Sequence, residues 1–237
     1  VVTVADSQKL DIIERARMSG ASPSALLVGA MAQSIAAVSG TSEDILICVP
    51  MAMRQDLALR HYLGWVATIS PVRCKVAQHR SLDTLAKQIF DQYQTSMLHL
   101  PADFTLRRGA LHRELGAEGS YLTLFEAGML TADASRGESS VRDLTRLGAD
   151  QAVRFAGYEI QPIGNGRVRA GCAYHVDIRS FEGPAGHSYR CCYDSDVVAP
   201  ETARNLFREV LGRLGVSDAS LGTIRENGAL VMDPAAE

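Results

Sequence analysis

Ser22-Pro23-Ser24-Ala25-Leu26-Leu27-Val28-Gly29-Ala30-Met31 runs on to Gly40, and Asp44-Ile45-Leu46-Ile47-Cys48-Val49-Pro50 follows shortly after. The first stretch carries the marks of a helix: Ser22 as N-cap, Pro23 at the first helical position and Gly40 as the stop. Leu26, Leu27, Val28, Met31, Ile35, Ala36 and Val38 cover most of its circumference, which predicts a helix buried on most sides. The second stretch is too short for a core helix and is bounded by Asp44 and Pro50, so it reads as an interior strand. A buried helix feeding a buried strand predicts helices packed on a sheet.

The neighbouring segments extend that pattern. Upstream, Asp6 to Met18 reads as a helix capped by Asp6 or Ser7, with Leu10, Ile13 and Ala16 as its apolar stripe and Gly20 as its end. Downstream, Leu63 to Val76 reads as extended chain interrupted by Pro71. Ser81 then caps an amphipathic helix whose Leu82, Leu85, Ala86, Ile89, Phe90, Tyr93 and Met97 recur at helical spacing. Tyr121 to Phe125 reads as a strand and Thr131 to Asp150 as a long polar loop. From Arg167 to Ile178 apolar and polar residues alternate, which predicts a strand with one face in a core and one solvated. Phe181 to Gly186 reads as its turn and Ser188 to Tyr193 as the return strand. Both faces are satisfied together when Asp177 lies opposite Arg190, Ile178 opposite Tyr189 and Val176 opposite Cys191. The last helix opens at Pro200, carries Ala203, Leu206, Phe207, Val210, Leu211 and Leu214 as its stripe, and ends at Gly215. The order predicts an α/β fold, a mixed two-layer sandwich. Residues 1–221 form one unit, and 222–237 read as a tail or linker.

Composition bounds the function. The chain has 237 residues, 46% of them hydrophobic and 22% charged, as soluble globular proteins do. A formal net charge of −3 argues against a large nucleic-acid footprint. No apolar run approaches the length of a membrane span. Five cysteines, an odd number without framework spacing, point to a reducing, cytoplasmic compartment.

No GxSxG, Walker loop, HExxH or helix-opening GxGxxG is present. Asp194 and Asp196 read as a solvated strand terminus rather than a cation site. Cys172, His175, His187, Cys191 and Cys192 suggest zinc, but alternation sends Cys172 and Cys191 to one face and His175 and Cys192 to the other, so one tetrahedral centre cannot collect them. No metal is expected. His99 sits between a general base and a helix-end histidine that suits the macrodipole, and the second reading is preferred. His61 and His112 are read in the same way. Arg54 lies just after the strand, where an arginine can reach a carboxylate across an interface or simply remain solvated.

Taken in order, these residues resemble the second half of a nonribosomal-peptide condensation domain. Ser22 through Gly40, Asp44 through Pro50 and Arg54 match that family's buried helix, strand and loop arginine. Leu63-Gly64-Trp65-Val66-Ala67-Thr68-Ile69-Ser70-Pro71-Val72-Arg73 aligns without gaps on its I-G-x-F-x-N-T-x-P-L-R strand, with Thr68 where Asn is usual and Ser70 where Leu is usual. His99-Leu100-Pro101-Ala102-Asp103-Phe104 is a degraded form of its H-Q-x-x-P-F element. Tyr189 to Asp194 and Pro200 to Leu214 resemble its closing strand and helix. The Gly64-Trp65 variant is also similar to polyketide-associated acyltransferases of the same superfamily.

The resemblance implies one half of a chloramphenicol-acetyltransferase-like pseudo-dimer. The family's HHxxxDG motif, which supplies the catalytic histidine, belongs to the other half and has no match here, so no catalytic residue is expected within this chain. Arg54 is implied to pair with the Asp of that motif, and Trp65, Thr68 and Ser70 are implied to line the substrate tunnel. The implied reaction is amide or ester formation from an acyl thioester on a phosphopantetheine carrier or CoA. The implied partners are the N-terminal half and an acyl or peptidyl carrier protein, with no bound cofactor. Two other readings stand beside this one: a degenerate, non-catalytic module that recruits a carrier or partner enzyme, and an unrelated α/β domain.

Overall fold

The computed structural model describes residues 2–40, 44–52, 67–78, 81–98, 125–130, 153–155, 158–160, 175–183 and 186–216. The helix that decides the fold, α2 (Pro23–Ser39), begins where its sequence signals place it. The Ser22 hydroxyl accepts from the Ala25 amide at 3.2 Å, Pro23 opens the helix, and Gly40 closes it in the left-handed conformation, φ 67°. Every residue from Ala25 to Ile35 is buried, including Gln33 and Ser34. Those two polar groups are served from another helix, α4 (Pro200–Arg213): Arg213 donates through Nε to Ser34 Oγ and through Nη1 to Gln33 Oε1. Val38, counted in the apolar girdle by sequence, is instead exposed, because α2 has left the core by its last turn.

Around α2 pack α1 (Asp6–Met18), α3 (Leu82–Met97) and α4. Helix α1 buries Ile12 and Ala16, while Leu10 and Ile13, assigned to its apolar stripe from sequence, are 62% and 41% exposed. Arg15 explains which face turns inward. It flanks Ile12 on the side away from Ala16, one turn along the helix, and it donates through Nε to Asp83 Oδ1 at 2.7 Å and through Nη1 to the Arg213 carbonyl at 2.9 Å. One guanidinium therefore ties α1 to the start of α3 and the end of α4. Nor do Asp6 or Ser7 cap α1: Ala5 is the N-cap, and its amide donates to the Gln8 side chain. Helix α3 follows its sequence reading closely, with Ser81 Oγ accepting from the Asp83 amide and Leu82, Leu85, Ala86, Ile89 and Tyr93 buried.

The helices lie on a six-stranded sheet of order β1-β8-β7-β4-β2-β3. Its strands are β1 (Val2–Val4), β2 (Asp44–Ala52), β3 (Ala67–Lys75), β4 (Phe125–Leu130), β7 (Val176–Gly183) and β8 (Gly186–Tyr193). A separate two-stranded ribbon joins β5 (Val153–Phe155) to β6 (Tyr158–Ile160). The sheet is mixed: β4 runs parallel to both β2 and β7, and the remaining pairs are antiparallel. Ile45, Ile47, Val49, Val72, Cys74, Val176, Ile178 and Tyr189 face the helices and form one core with them. Cys48 is equally buried, at 1%, yet stands outside that core, because alternation turns it to the opposite face.

Three sequence expectations need correction. The strand expected to end at Phe125 runs on to Leu130; residues 121–124 of that expectation lie outside the described residues. The hairpin turn is also shorter than expected. The strands run through Gly183 and resume at Gly186, so Val176 lies opposite Tyr193, Asp177 opposite Cys192, Ile178 opposite Cys191 and Arg179 opposite Arg190. The register is thus displaced by two residues from the expected one. A displacement of two preserves faces, and Cys191 packs against the core while Cys192 lies on the other side. Finally, the polar face of β7 is not fully solvated, since Asp177 is only 7% exposed. β7 is an interior strand, and neighbours on both sides shade its side chains. The long loop 131–150, the expected strand portion 167–174 and the tail 222–237 lie outside the described residues.

Candidate functional site

The four residues singled out from sequence divide between described and undescribed chain. Arg54 and Trp65 lie outside the described residues, as do His61, His99, His112 and Cys172. Thr68 and Ser70 are in β3, opposite Met51 and Val49 of β2. Both share the helix-facing side with Val72 and Cys74, and both are half-buried. The Thr68 hydroxyl oxygen is shut off from solvent and has no hydrogen-bond partner among the described residues. A buried hydroxyl without a partner carries a desolvation cost of about 1–3 kcal/mol. It sits in the position where the resembling family has Asn.

A second polar group lies on the opposite face of the sheet, at the β7–β8 hairpin. Arg179 and Arg190 are direct cross-strand neighbours, a like-charge pairing that disfavours a sheet. Asp177 offsets it. Arg179 Nε donates to Asp177 Oδ1 at 3.0 Å and lies 2.8 Å from Oδ2, and the Arg190 charge also acts on this carboxylate. Cys192 faces the same cluster from β8. Burial pushes the Asp177 carboxyl above its ordinary range, and Arg179 and Arg190 pull it back only in part. Burial likewise raises the Cys192 thiol, against the pull of the arginines. Alternation in the sequence had already put Asp177, Arg179 and Arg190 on one face. Its missed feature is burial, which depends on strand order.

The raised carboxyl has a consequence for pH. The folded chain holds the Asp177 proton to higher pH than the unfolded chain does. The stability gained is complete below the ordinary carboxylate range and is lost as pH rises through the raised folded value. Asp177→Asn keeps an acceptor for Arg179 and abolishes the ionisation. Urea unfolding should find the variant more stable than the parent at neutral pH, with the difference vanishing in acid. A variant less stable at neutral pH would mean that the ion pair outweighs the cost of burial.

Other sequence candidates have structural roles. Asp194 Oδ1 accepts from the Asp196 amide at 3.0 Å, and the Asp194 carbonyl accepts from Val197 and Val198, so this residue closes the turn before α4. His187 is on the helix-facing side beside the Tyr189 ring, away from Cys192. His175 accepts the Asp194 amide through its carbonyl, and Cys192 lies opposite Asp177 instead. Among the described residues no three of His, Cys, Asp and Glu gather where they could hold a metal ion. Among them too, no single helix is long and apolar enough to cross a membrane.

Solved structures share this architecture. The condensation domain of the Monacolin K polyketide synthase MokA matches with a TM-score of 0.62 at 17% identity, over 92% of this chain and 46% of that one. PapA2 acyl transferase matches with a TM-score of 0.61 at 13% identity, over 90% of this chain and 43% of that one. The first condensation domain of the calcium-dependent antibiotic synthetase matches with a TM-score of 0.57 at 16% identity, over 90% and 42%. The chain therefore spans less than half the length of each. No family model matches the sequence, and no curated protein matches it. At these identities the likeness establishes the fold, which is the chloramphenicol-acetyltransferase-like fold of condensation domains.

Proposed function

We propose that this chain is the C-terminal half of a condensation-type acyltransferase, joining a thioester-bound acyl donor to an amine or hydroxyl acceptor. The observation that carries the reading is the coverage: at least 90% of this chain lies on condensation and acyltransferase structures, yet it fills at most 46% of the three compared above. A thioester is already activated, so such a reaction asks a protein mainly for positioning and one base. This half supplies a wall of the site rather than the base. In this reading Arg54 pairs with the Asp of the HHxxxDG motif on the N-terminal half, and Trp65, Thr68 and Ser70 border the tunnel. The donor is carried on phosphopantetheine or CoA, a carrier protein is the partner, and no resident cofactor is needed. Five cysteines, an odd number without framework spacing, fit a reducing, cytoplasmic setting.

A non-catalytic recruiting module is the second reading. The Thr68 hydroxyl, buried without a partner among the described residues, favours it, since a worn site is where Thr in place of Asn is tolerated. The upstream coding sequence separates the two: an intact HHxxxDG supports catalysis, and its loss supports recruitment.

Arg54→Ala in the intact protein tests the pairing. Removing one partner of a buried ion pair costs about 3–5 kcal/mol, so activity and melting temperature should fall together. Lost activity with unchanged melting temperature would make Arg54 a substrate ligand instead.

A further inference from the structure

Among the described residues β3 pairs with β2 on one side and with no strand on the other. A sheet edge of that kind templates pairing with another chain unless charge, proline, a bulge or a cover blunts it. From Ala67 to Val72 the strand carries no charge. Two other devices lie along it. At Arg73 the main chain meets helix α3: the Arg73 amide donates to Gln92 Oε1 at 3.1 Å, and its carbonyl accepts from Gln92 Nε2 at 2.8 Å and from Gln88 Nε2 at 3.2 Å. The Gln92 amide thus takes both main-chain groups of one residue, as a paired strand would. Gln88 keeps its nitrogen on the same carbonyl although its Oε1 is shut off from solvent with no hydrogen-bond partner among the described residues. A buried acceptor left unmet is destabilising, so this orientation is held by its donor. The Arg73 groups point to α3 and away from β2, and alternation gives the same direction to Ala67, Ile69 and Pro71. Pro71 has no N–H to offer on that side, and its ring stands where the carbonyl of an added strand would have to approach.

We propose that Gln92 and Pro71 together stop the sheet at β3 and keep an extended segment of another chain from adding to it. Gln92 stands in for a seventh strand at Arg73. Pro71 divides the outward row, so that Ala67 and Ile69 are cut off from Arg73. The two devices are complementary. Proline removes a donor but leaves its own carbonyl exposed, and it protects only its immediate neighbours. The Gln92 amide removes one donor and one acceptor, but only where α3 passes close to the strand. The inference does not depend on the acyltransferase reading.

Sedimentation of the purified chain over a range of concentrations tests it, with circular dichroism to confirm that each variant folds. The parent is expected to remain a monomer. Gln92→Leu alone should remain one too, because Pro71 still divides the row. Pro71→Val restores an outward N–H without touching the β2 ladder and should associate weakly, since Gln92 still holds Arg73. The double variant, Pro71→Val with Gln92→Leu, joins the outward groups from residue 67 to residue 73 and should associate at concentrations where the parent does not. A folded double variant that stays monomeric overturns the proposal, and so does a parent that associates as readily as the double variant. Where the double variant does not fold, hydrogen exchange of Gln92→Leu decides. The Arg73 amide should exchange about tenfold faster than in the parent, for the loss of one hydrogen bond, while the Val72 and Cys74 amides, which point to β2, keep their rates. An Arg73 amide indifferent to Gln92→Leu would show that Gln92 does not stand in for a strand, and would overturn the proposal as well.

Discussion

Leu85→Ala is expected to lower the unfolding free energy by about 3–5 kcal/mol, the upper part of the range for large-to-small core changes. The reason lies in how α2 and α3 meet. Leu85 is fully buried on the face of α3 that also carries Leu82, Ala86 and Ile89. Across from that face α2 presents Gly29, and a β-carbon there would come within 3.0 Å of Leu82 Cδ1 and 3.5 Å of Ile89 Cδ1. The helices are already as close as a glycine allows, so they cannot move together to fill the space that Leu85 leaves. A cavity that cannot collapse costs more than the transfer of the lost methyls alone. For a domain of this size the melting temperature should drop by roughly 6–20 °C, at about 2–4 °C per kcal/mol. Thermal and urea unfolding followed by circular dichroism measure it. A loss under about 1 kcal/mol would mean that the α2–α3 contact is looser than the Gly29 clearance indicates. The converse change, Gly29→Val, should also destabilise, by about 1–3 kcal/mol through overpacking.

What was legible in the sequence follows from where the information resides. Helix ends are encoded locally, which is why Ser22, Pro23, Gly40, Ser81, Pro200 and Gly215 mark boundaries that the structure keeps. The inward face of α1 was not local. A count of apolar residues selects Leu10 and Ile13 along with Ala16, whereas Arg15 and its partners on α3 and α4 turn Ile12 inward beside Ala16 and leave Leu10 and Ile13 exposed. The hairpin illustrates the same division. Period-two alternation specifies which face a residue takes, and it places Cys191 and Cys192 on their proper sides. It does not specify how many residues the turn consumes, and shortening the turn displaced every pair by two.

The run of β4 past Phe125 was missed because Glu126-Ala127-Gly128 has little strand propensity of its own and is held between β2 and β7. β1, β5 and β6, at three residues each, are too short to show any period. For the site, the sequence offered Thr68 and Ser70 by resemblance alone. That the Thr68 hydroxyl is buried without a partner among the described residues depends on β2 lying beside it, which no local pattern reveals.

The purified chain by itself is expected to show no acyl transfer above the uncatalysed aminolysis of its thioester donor. A positioned base contributes about 10²–10⁴-fold to such a reaction. Holding donor and acceptor together contributes effective molarities of about 10⁵–10⁸ M. Both require a closed site. In the reading proposed above, the histidine is on the other half and the tunnel has its second wall there. This chain has no HHxxxDG to supply the base, and it fills less than half of the compared structures. The assay uses acyl-CoA and acyl-carrier donors with an amine and an alcohol acceptor, followed as release of free thiol. The matching half, added in trans or restored in one chain, should bring turnover back. Arg54→Ala should then remove it again, because the arginine acts only when the motif it holds is present. Turnover by the chain alone, abolished by a substitution at Thr68 or Ser70, would place the chemistry inside this half and overturn its assignment as a wall. Silence even after the matching half is supplied would instead favour recruitment, since a binding module needs the fold and the carrier surface but no base.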